Sequence, residues 1–381
     1  MRAALLALAL AGGSFAGAAP EVPVPGAAPP AEEGPAVAPQ TFTPKDLVDA
    51  VPGRLGINWK GAPLAARETG PGARRAAAAI GLADALAPLA DPACGALLKA
   101  IGLPPAAPAT LADAWPEDRP AALPGSPVLL VPDRVAPLPE PDAEFLRATG
   151  VLPLEVALTG EWLRAVGSQH AGPAPADPLL RAARAARLEG AARLAGIVVS
   201  IAGTGVDPRE VGSGLLALDQ DRASWPRAAT IAAAGDPLRA ALVRGLLEDG
   251  LRWAVFHYAR GGVVGLLAAL ERPAGPAELV RPGIVRPVPE GVPSGCHLGP
   301  RAAAALYGGD HDAPWVSSLL ADAAQRGAGG EIVVTLAFEA PAAAEEAAAA
   351  IRSRGGSAEV SGSTVRGILT PSRARPLTRQ P

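Results

Sequence analysis

The chain has 381 residues, of which 49% are hydrophobic, and its formal net charge is −3. This apolar content is ample for a packed core, and 44 Gly plus 43 Pro stay just below the share that is typical of wholesale disorder. The small net charge, without a basic stripe interleaved with aromatic residues, argues against a nucleic-acid partner.

The N-terminus has the pattern of an export signal. Within residues 1–18, Arg2 precedes an apolar run, and the small residues Ala16 to Ala18 form a cleavage site. An uncleaved anchor helix is the alternative, but the run is too short to span a bilayer. Residues 19–42 are rich in Pro and Ala and predict a disordered tether. We therefore expect a periplasmic or secreted protein with no membrane span after signal cleavage.

The expectation of export bears on the state of the two cysteines. Cys94 and Cys296 would reside in an oxidising compartment, where disulfides form and persist. One bridge between them would close a very long loop and contribute a few kcal/mol to stability. Two separate buried thiols fit the sequence equally, so both readings stay open here.

Periodicity and capping residues predict a mostly helical chain. A typical helix start is Thr43 followed by Pro44, an N-cap residue followed by proline in the first turn. The predicted helices cover residues 44–52, 71–90, 93–101, 154–170, 178–201, 237–258, 263–271, 300–307, 314–326 and 341–354, with a helical turn at 144–148. The predicted strands cover 126–135 and 331–338, with one or two more in 357–369, and the Pro-rich stretches 104–124 and 272–293 are expected to be irregular. The fold class is therefore α+β and predominantly helical, without alternating βαβ units.

The folded part is expected to form one domain built from three consecutive parts. Residues 43–125 form an N-terminal helical part, 126–293 a central core, and 294–371 a C-terminal α/β part. The basic segment 372–381 is predicted to be a disordered tail.

An acidic residue stands out in the predicted helix 154–170. Glu161 shares one helical face with Leu154, Leu158 and Ala165. An isolated buried carboxylate is costly, so such a residue must be paired, protonated or part of a site.

A second acidic residue occupies a similar position in the next helix. Glu189 is surrounded on its face by small residues, namely Ala182, Ala185, Ala186, Ala192 and Gly196. Small residues let another helix approach closely. Two acids on facing, tightly packed helices are typical of a hydrolytic metal site.

Residues 160–170, GEWLRAVGSQH, resemble the H-E-x-x-H-A-L-x-D-Q-H stretch of secreted bacterial gluzincin-like zinc metallopeptidases. RLEG at 187–190 resembles the helix that carries the third, glutamate ligand of that family. Residues 248–262 and 273–282 resemble two further family segments in the same order. The resemblance covers about 150–283, and it implies a zinc-peptidase-like core of two packed helices with a few short strands.

The departures from the family pattern decide the expected chemistry. The resemblance implies zinc-binding imidazoles at Gly160 and Arg164, a general base at Glu161 and a third zinc ligand at Glu189. Glycine offers no ligand, and a guanidinium repels a divalent cation. We therefore expect a degenerate member with vestigial site positions, no catalytic residue in use and no cofactor.

Arg164 suggests what replaced the metal. Three residues after Glu161, its guanidinium could pair with Glu161, Glu189 or both, so that one cation replaces another and the buried acids stay compensated. In the alternative, Arg164 faces solvent and Glu189 pairs with Arg193 four residues further along its own helix.

The remaining histidines give weaker signals. His170 lies about 13 Å from Glu161 along the helix, too far for both to bind one ion, so it is expected to be structural. Three others, His257, His297 and His311, have no partner at ligand spacing. The triplet 310–312 reads as a solvated turn, and adjacent Cys296 and His297 do not suggest a nucleophile–base pair. No nucleophile elbow, phosphate loop or dinucleotide fingerprint occurs.

These observations predict an exported pseudoenzyme on a zinc-peptidase-like scaffold that binds a peptide or an envelope protein, or serves a structural role. One alternative is an active metal-dependent hydrolase with a rearranged ligand set. Another is an envelope structural or adaptor protein, which predicts that side chains fill the old cleft. An open groove beside Glu161 would count against this last reading.

Overall fold

The structure is a computed structural model that describes residues 43–61, 64–101, 115–117, 119–123, 125–132, 151, 153–216, 237–283, 295–308, 310 and 312–372. The predicted signal peptide, the tether, the helical turn at 144–148 and the tail beyond residue 372 lie outside these ranges.

Helices form most of the described chain, and many of them begin at a proline. They are α1 (Pro44–Arg54), α2 (Pro71–Ala83), α3 (Ala87–Ala90), α4 (Pro92–Ala100), α5 (Pro153–His170), α6 (Pro178–Ala202), α7 (Pro208–Val211), α8 (Pro237–Arg244), α9 (Gly250–Leu270), α10 (Pro276–Val280), α11 (Pro300–Ala303) and α12 (Pro341–Ser353). Tighter or wider helical turns occur at Asp84–Leu86, Gly212–Leu216, Gly245–Asp249, Ala304–Gly308 and Pro314–Ser318. Proline suits the first turn because the N–H that it lacks would have no helical partner there.

The strands are few and short. They are β1 (Ala65–Glu68), β2 (Ala121–Ala122), β3 (Val128–Val131), β4 (Leu319–Arg326), β5 (Ile332–Phe338), β6 (Ser357–Ser361) and β7 (Thr364–Leu369). They form two small sheets, with orders β1-β3-β2 and β4-β5-β7-β6. The predicted class, α+β and predominantly helical, is confirmed.

Helices α5 and α6 form the centre of the fold. A Cβ on Gly160 would lie 2.8 Å from the carbonyl oxygen of Ala192, and a Cβ on Gly196 would lie 3.0 Å from the side chain of Val156. Because residue numbers rise along one helix as they fall along the other, the two helices run antiparallel. The small residues predicted beside Glu189 thus allow the close approach that the sequence indicated.

Helix α9 packs on another side of α6 at equally short range. A Cβ on Gly190 would lie 1.9 Å from the carbonyl oxygen of Gly250, so the two backbones touch. The predicted break after residue 258 is present as a kink, where Gly261 and Gly262 leave helical geometry and Gly262 has φ +60°. Glycine takes this left-handed conformation without the steric cost of a Cβ.

The first sheet lies beside α5. Strand β1 pairs parallel to β3, and β2 pairs antiparallel on the other side of β3. Strand β2 packs against both α2 and α5. The expected boundary at 125/126 falls inside this sheet, because β1 belongs to the N-terminal part and β3 to the central part. One continuous hydrophobic core spans all three parts.

The second sheet is antiparallel throughout and packs against α12. The predicted helix 314–326 is wrong: a tight turn at Pro314–Ser318 is followed by β4. This segment is rich in Leu and Ala, which favour helix, but β4 pairs with β5 along its length. Pairing over a whole strand outweighs a local preference.

Other differences involve short elements. The stretch 272–293, expected to be irregular, contains α10. Strands β1 and β2 were not predicted, because four and two residues are too few to show a period. The predicted helix 71–90 is divided by the tight turn at Asp84–Leu86.

One helical stretch bears on the expected absence of a membrane span. Leu238–Leu270 is long and apolar enough to cross a membrane by length and composition, and the bent pair Pro71–Ala90 with Pro92–Ala100 would pass the same test as one span. Of the most apolar window of Leu238–Leu270, 56% is buried in the fold. The core helix of a soluble protein has the same properties, so this finding leaves the expectation open.

Cys94 and Cys296 form a disulfide, which resolves the alternative left open by the sequence. Both residues are completely buried. The bridge joins α4 to a segment that pairs with β4 through Cys296 and Ala324. It therefore ties the N-terminal helices covalently to the C-terminal sheet.

Candidate functional site

Arg164 lies between the two buried acids. Its Nε donates to Glu161 Oε2 at 3.0 Å, and its Nη2 donates to Glu189 Oε2. The two carboxylate side chains are 1% and 0% exposed, and the arginine side chain is 14% exposed. The double pairing considered from the sequence is thus present, and Arg164 is not turned to solvent.

The packing of two helices explains this arrangement. A spacing of three residues puts Glu161 and Arg164 on the same side of α5. Helix α6 brings Glu189 to the same place from the facing side. The planar guanidinium has several donors in a fixed fork, so it can bridge carboxylates on two different helices.

The charges stabilise one another. Burial lowers the pKa of Arg164, but the negative charges of Glu161 and Glu189 and their hydrogen bonds outweigh burial and raise it. Burial raises the pKa of Glu189, but the positive charges of Arg164, Arg119 and Arg193 outweigh burial and lower it. Arg164 and Glu189 are therefore both ionised at neutral pH.

The structure adds groups that the sequence did not reveal. The backbone N–H of Ala122 in β2 donates to Glu161 Oε2 at 3.0 Å, and Arg119 Nη2 lies 3.6 Å from Glu161 Oε1. The guanidinium groups of Arg119 and Arg164 lie 4.8 and 5.9 Å from the ring centroid of Trp115, within reach of a cation–π contact. Trp115, Arg119 and Ala122 belong to the Pro/Ala-rich connection 104–124. This connection has no periodicity, so no sequence signal pointed to them.

The residues around Arg164 do not fit a zinc site. Arg164 places a permanent positive charge between the two acids where the family pattern has an imidazole. Gly160 is packed so closely against Ala192 that an imidazole there would collide with α6. Among the residues described, no group of three or more His, Cys, Asp or Glu side chains could hold a metal ion.

The packing at Gly160 gives a testable prediction. Replacing Gly160 by Ala should lower the free energy of unfolding by about 1–3 kcal/mol, because the new methyl group would press on the Ala192 carbonyl. Urea unfolding followed by circular dichroism would measure this. Gly81→Ala is the matched control: it is a helical glycine with open space around its Cβ position, and we expect a gain of up to about 1 kcal/mol. Equal stabilities of Gly160→Ala and the wild type would contradict the close packing.

A cleft of about 570 Å³ opens beside Glu161 and Arg164. Its walls come from α2, β2, α5, α6 and the turns next to them, and many of their residues are small. They include Ala77, Ala78 and Gly81 of α2, Asp84 of the turn that follows, Trp115 ahead of β2, Ala121 and Ala122 of β2, Glu161, Arg164 and Ser168 of α5, and Arg184, Ala185 and Leu188 of α6. The volume lies in the range of small-ligand pockets. An open cleft at this place counts against the reading in which side chains fill it.

The other histidines have structural partners. His170 Nδ1 lies 2.9 Å from Glu271 Oε1 at the end of α5, consistent with the structural role expected for it. His257 is buried, with its Nε2 3.8 Å from Glu278 Oε1. His297 contacts the backbone oxygen of Asp322 through Nδ1. These partners are distant in sequence, so spacing alone could not reveal them, and His311 lies outside the described residues.

A second ion-pair network lies near the C-terminal sheet. Arg301 pairs with buried Asp249 through two contacts of 2.5 and 2.6 Å, and it also binds Asp312 at 2.7 Å. Asp312 binds Arg244 as well. Asp312, an exposed residue of the triplet 310–312 that was predicted to be a solvated turn, thus joins α8 and α11 through its carboxylate.

No protein-family model, curated protein or solved structure matches the chain. The relation to gluzincin-like peptidases therefore rests on the residue pattern alone and is a proposal.

Proposed function

We propose that the chain is an exported pseudoenzyme on a gluzincin-like scaffold, which binds a peptide in the cleft beside Glu161 and Arg164. The observation that carries this proposal is an open cleft next to two buried acids whose charges are balanced by an arginine. An open cleft can hold a ligand. The guanidinium of Arg164 lies between Glu161 and Glu189, where a catalytic metal ion would have to bind.

The state of Glu161 argues against catalysis. Its Oε2 accepts hydrogen bonds from both Arg164 and the N–H of Ala122. A general base must be within hydrogen-bond reach of the proton that it removes, and this oxygen of Glu161 is already engaged by two donors of the protein. With Gly160 and Arg164 at the expected ligand positions, the chain lacks the imidazoles that would hold zinc and activate water.

The walls of the cleft leave room for a peptide. In the described part of the chain, β2 pairs with β3 on one side only. The backbone N–H of Ala122 is bound to Glu161, so a peptide would be held by the walls of the cleft and not by strand pairing through that N–H. The small alanine side chains of the neighbouring helices leave room for the side chains of a ligand.

Filling the cleft should weaken peptide binding. Gly81 lines the cleft, and its Cβ position has no atom within 4 Å, so Gly81→Phe would add an aromatic ring beside the cleft from an uncrowded position. We expect this variant to retain short random peptides with at least about tenfold lower affinity, or about 1.4 kcal/mol. The measurement is retention of a peptide library on the immobilised, disulfide-bonded chain, read by mass spectrometry.

Gly95→Phe is the matched control. Gly95 is also a helical glycine with open space around its Cβ position, but it does not line the cleft. It should retain peptides as the wild type does. Equal retention by Gly81→Phe would show that the cleft is not the site. Stoichiometric zinc that survives dialysis, together with peptide cleavage, would favour the active hydrolase instead.

A further inference from the structure

Arg184 lines the same cleft but is bound differently from Arg164. Its Nη2 donates to the backbone oxygens of Ser168 at 3.2 Å and of Gly172 at 2.7 Å. These two bonds hold the guanidinium against the C-terminal end of α5. In the part of the chain that the structure describes, no carboxylate lies within ion-pair distance of it; the acid that acts on it electrostatically is Asp84.

Several donors of Arg184 are unused. The two carbonyl contacts take both N–H groups of Nη2, and the described residues offer no hydrogen bond to Nη1 or Nε. The Nε atom is buried. Unlike Nε, Nη1 is not buried, so it can donate to an acceptor supplied by a ligand, and a hydrogen bond between two ionised groups is a strong one.

The charges around the cleft favour an anion. Glu161 and Glu189 are balanced by Arg164 and Arg119, as described above. Near Arg184, Asp84 also lines the cleft, and its carboxylate faces the positive charges of both Arg181 and Arg184. With Arg181, which lies outside the cleft, the described residues at this end therefore carry one positive charge more than Asp84 offsets, although the whole chain has a net charge of −3.

We infer that the peptide bound in the cleft carries a carboxylate that pairs with Arg184. The carboxylate would accept hydrogen bonds from Nη1 in a charge-assisted contact. It could come from an acidic side chain or from the C-terminus of the peptide. This inference rests on the proposed function and adds the chemical class of the ligand.

Three pools of short random peptides test the inference on the immobilised chain. The first is acetylated and amidated with one fixed Glu, the second is the same with Gln, and the third is the Gln pool with a free C-terminus. We expect the wild type to retain at least one carboxylate-bearing pool about tenfold better than the neutral pool. Arg184→Gln should remove this preference. Arg181→Gln, on the same helix but not lining the cleft, should keep it.

The outcomes separate the two proposals. Preference for the Glu pool identifies a side-chain carboxylate, and preference for the third pool identifies a terminal one. If the wild type retains all pools equally and Gly81→Phe retains them less well, the carboxylate inference is wrong and the peptide-binding function stands. Retention of no pool overturns both. A preference that survives Arg184→Gln overturns the role of Arg184, and the pool comparison on the wild type decides the carboxylate question even if that variant does not fold.

Discussion

Replacing Arg164 by Ala is expected to lower the free energy of unfolding by about 3–5 kcal/mol. The variant would leave Glu161 and Glu189 buried, at 1% and 0% side-chain exposure, without the cation that contacts both. Removing one partner of a buried ion pair is strongly destabilising because the remaining charge stays in a poorly solvated place. Urea unfolding at neutral pH, followed by circular dichroism, measures the loss.

Two comparisons separate the buried charge from other effects of the substitution. Arg164→Ala combined with Glu161→Gln and Glu189→Gln removes the stranded charges, so it should recover part of the lost stability. Arg209→Ala breaks an exposed pair with Asp207 and should unfold almost like the wild type. Unchanged unfolding of Arg164→Ala would mean that the ion pairs between α5 and α6 do not stabilise the fold.

Loss of the disulfide is the second large effect that we expect. Replacing Cys94 and Cys296 together by Ala should lower the free energy of unfolding by about 4–5 kcal/mol, because the cross-link restricts the unfolded chain across a long loop. The bridge spans 202 positions of the sequence. Denaturant unfolding of the variant and of the oxidised wild type gives the difference.

Reduction supplies the control for this prediction. Unfolding the wild type in the presence of a thiol reductant should reproduce most of the loss, whereas the double variant should not respond to reductant. The remaining difference between the two reflects the smaller alanine side chains at two buried positions. A wild type that unfolds identically with and without reductant would contradict a stabilising role for the bridge.

These two predictions depend on different kinds of information in the sequence. The contact between Glu161 and Arg164 is local, since three residues of one helix determine which side chains are neighbours. The contact between Glu189 and Arg164 depends on how α5 and α6 pack. The strip of small residues beside Glu189 was the sequence signal for that packing. The pairing of Cys94 with Cys296 had only the expectation of export in its favour.

The sequence by itself determined the two central helices, α5 and α6, and where they start. The observed ranges of α5 and α6 differ by one residue from the predicted ones, and Asp177 caps α6 by accepting from the N–H of Leu180 at 2.9 Å. Helical period and capping depend on residues within one or two turns, so a sequence records them directly.

Only the tertiary structure decided which groups surround Glu161 and Arg164, and that β4 is a strand and not a helix. Arg119 and Trp115 reach Glu161 and Arg164 from a connection without periodicity, and β2 supplies the N–H of Ala122. Strand β4 has a composition that favours helix, yet it pairs with β5. In each case the deciding partner is distant along the chain, and the energy of such contacts depends on how the whole core packs, which no local pattern encodes.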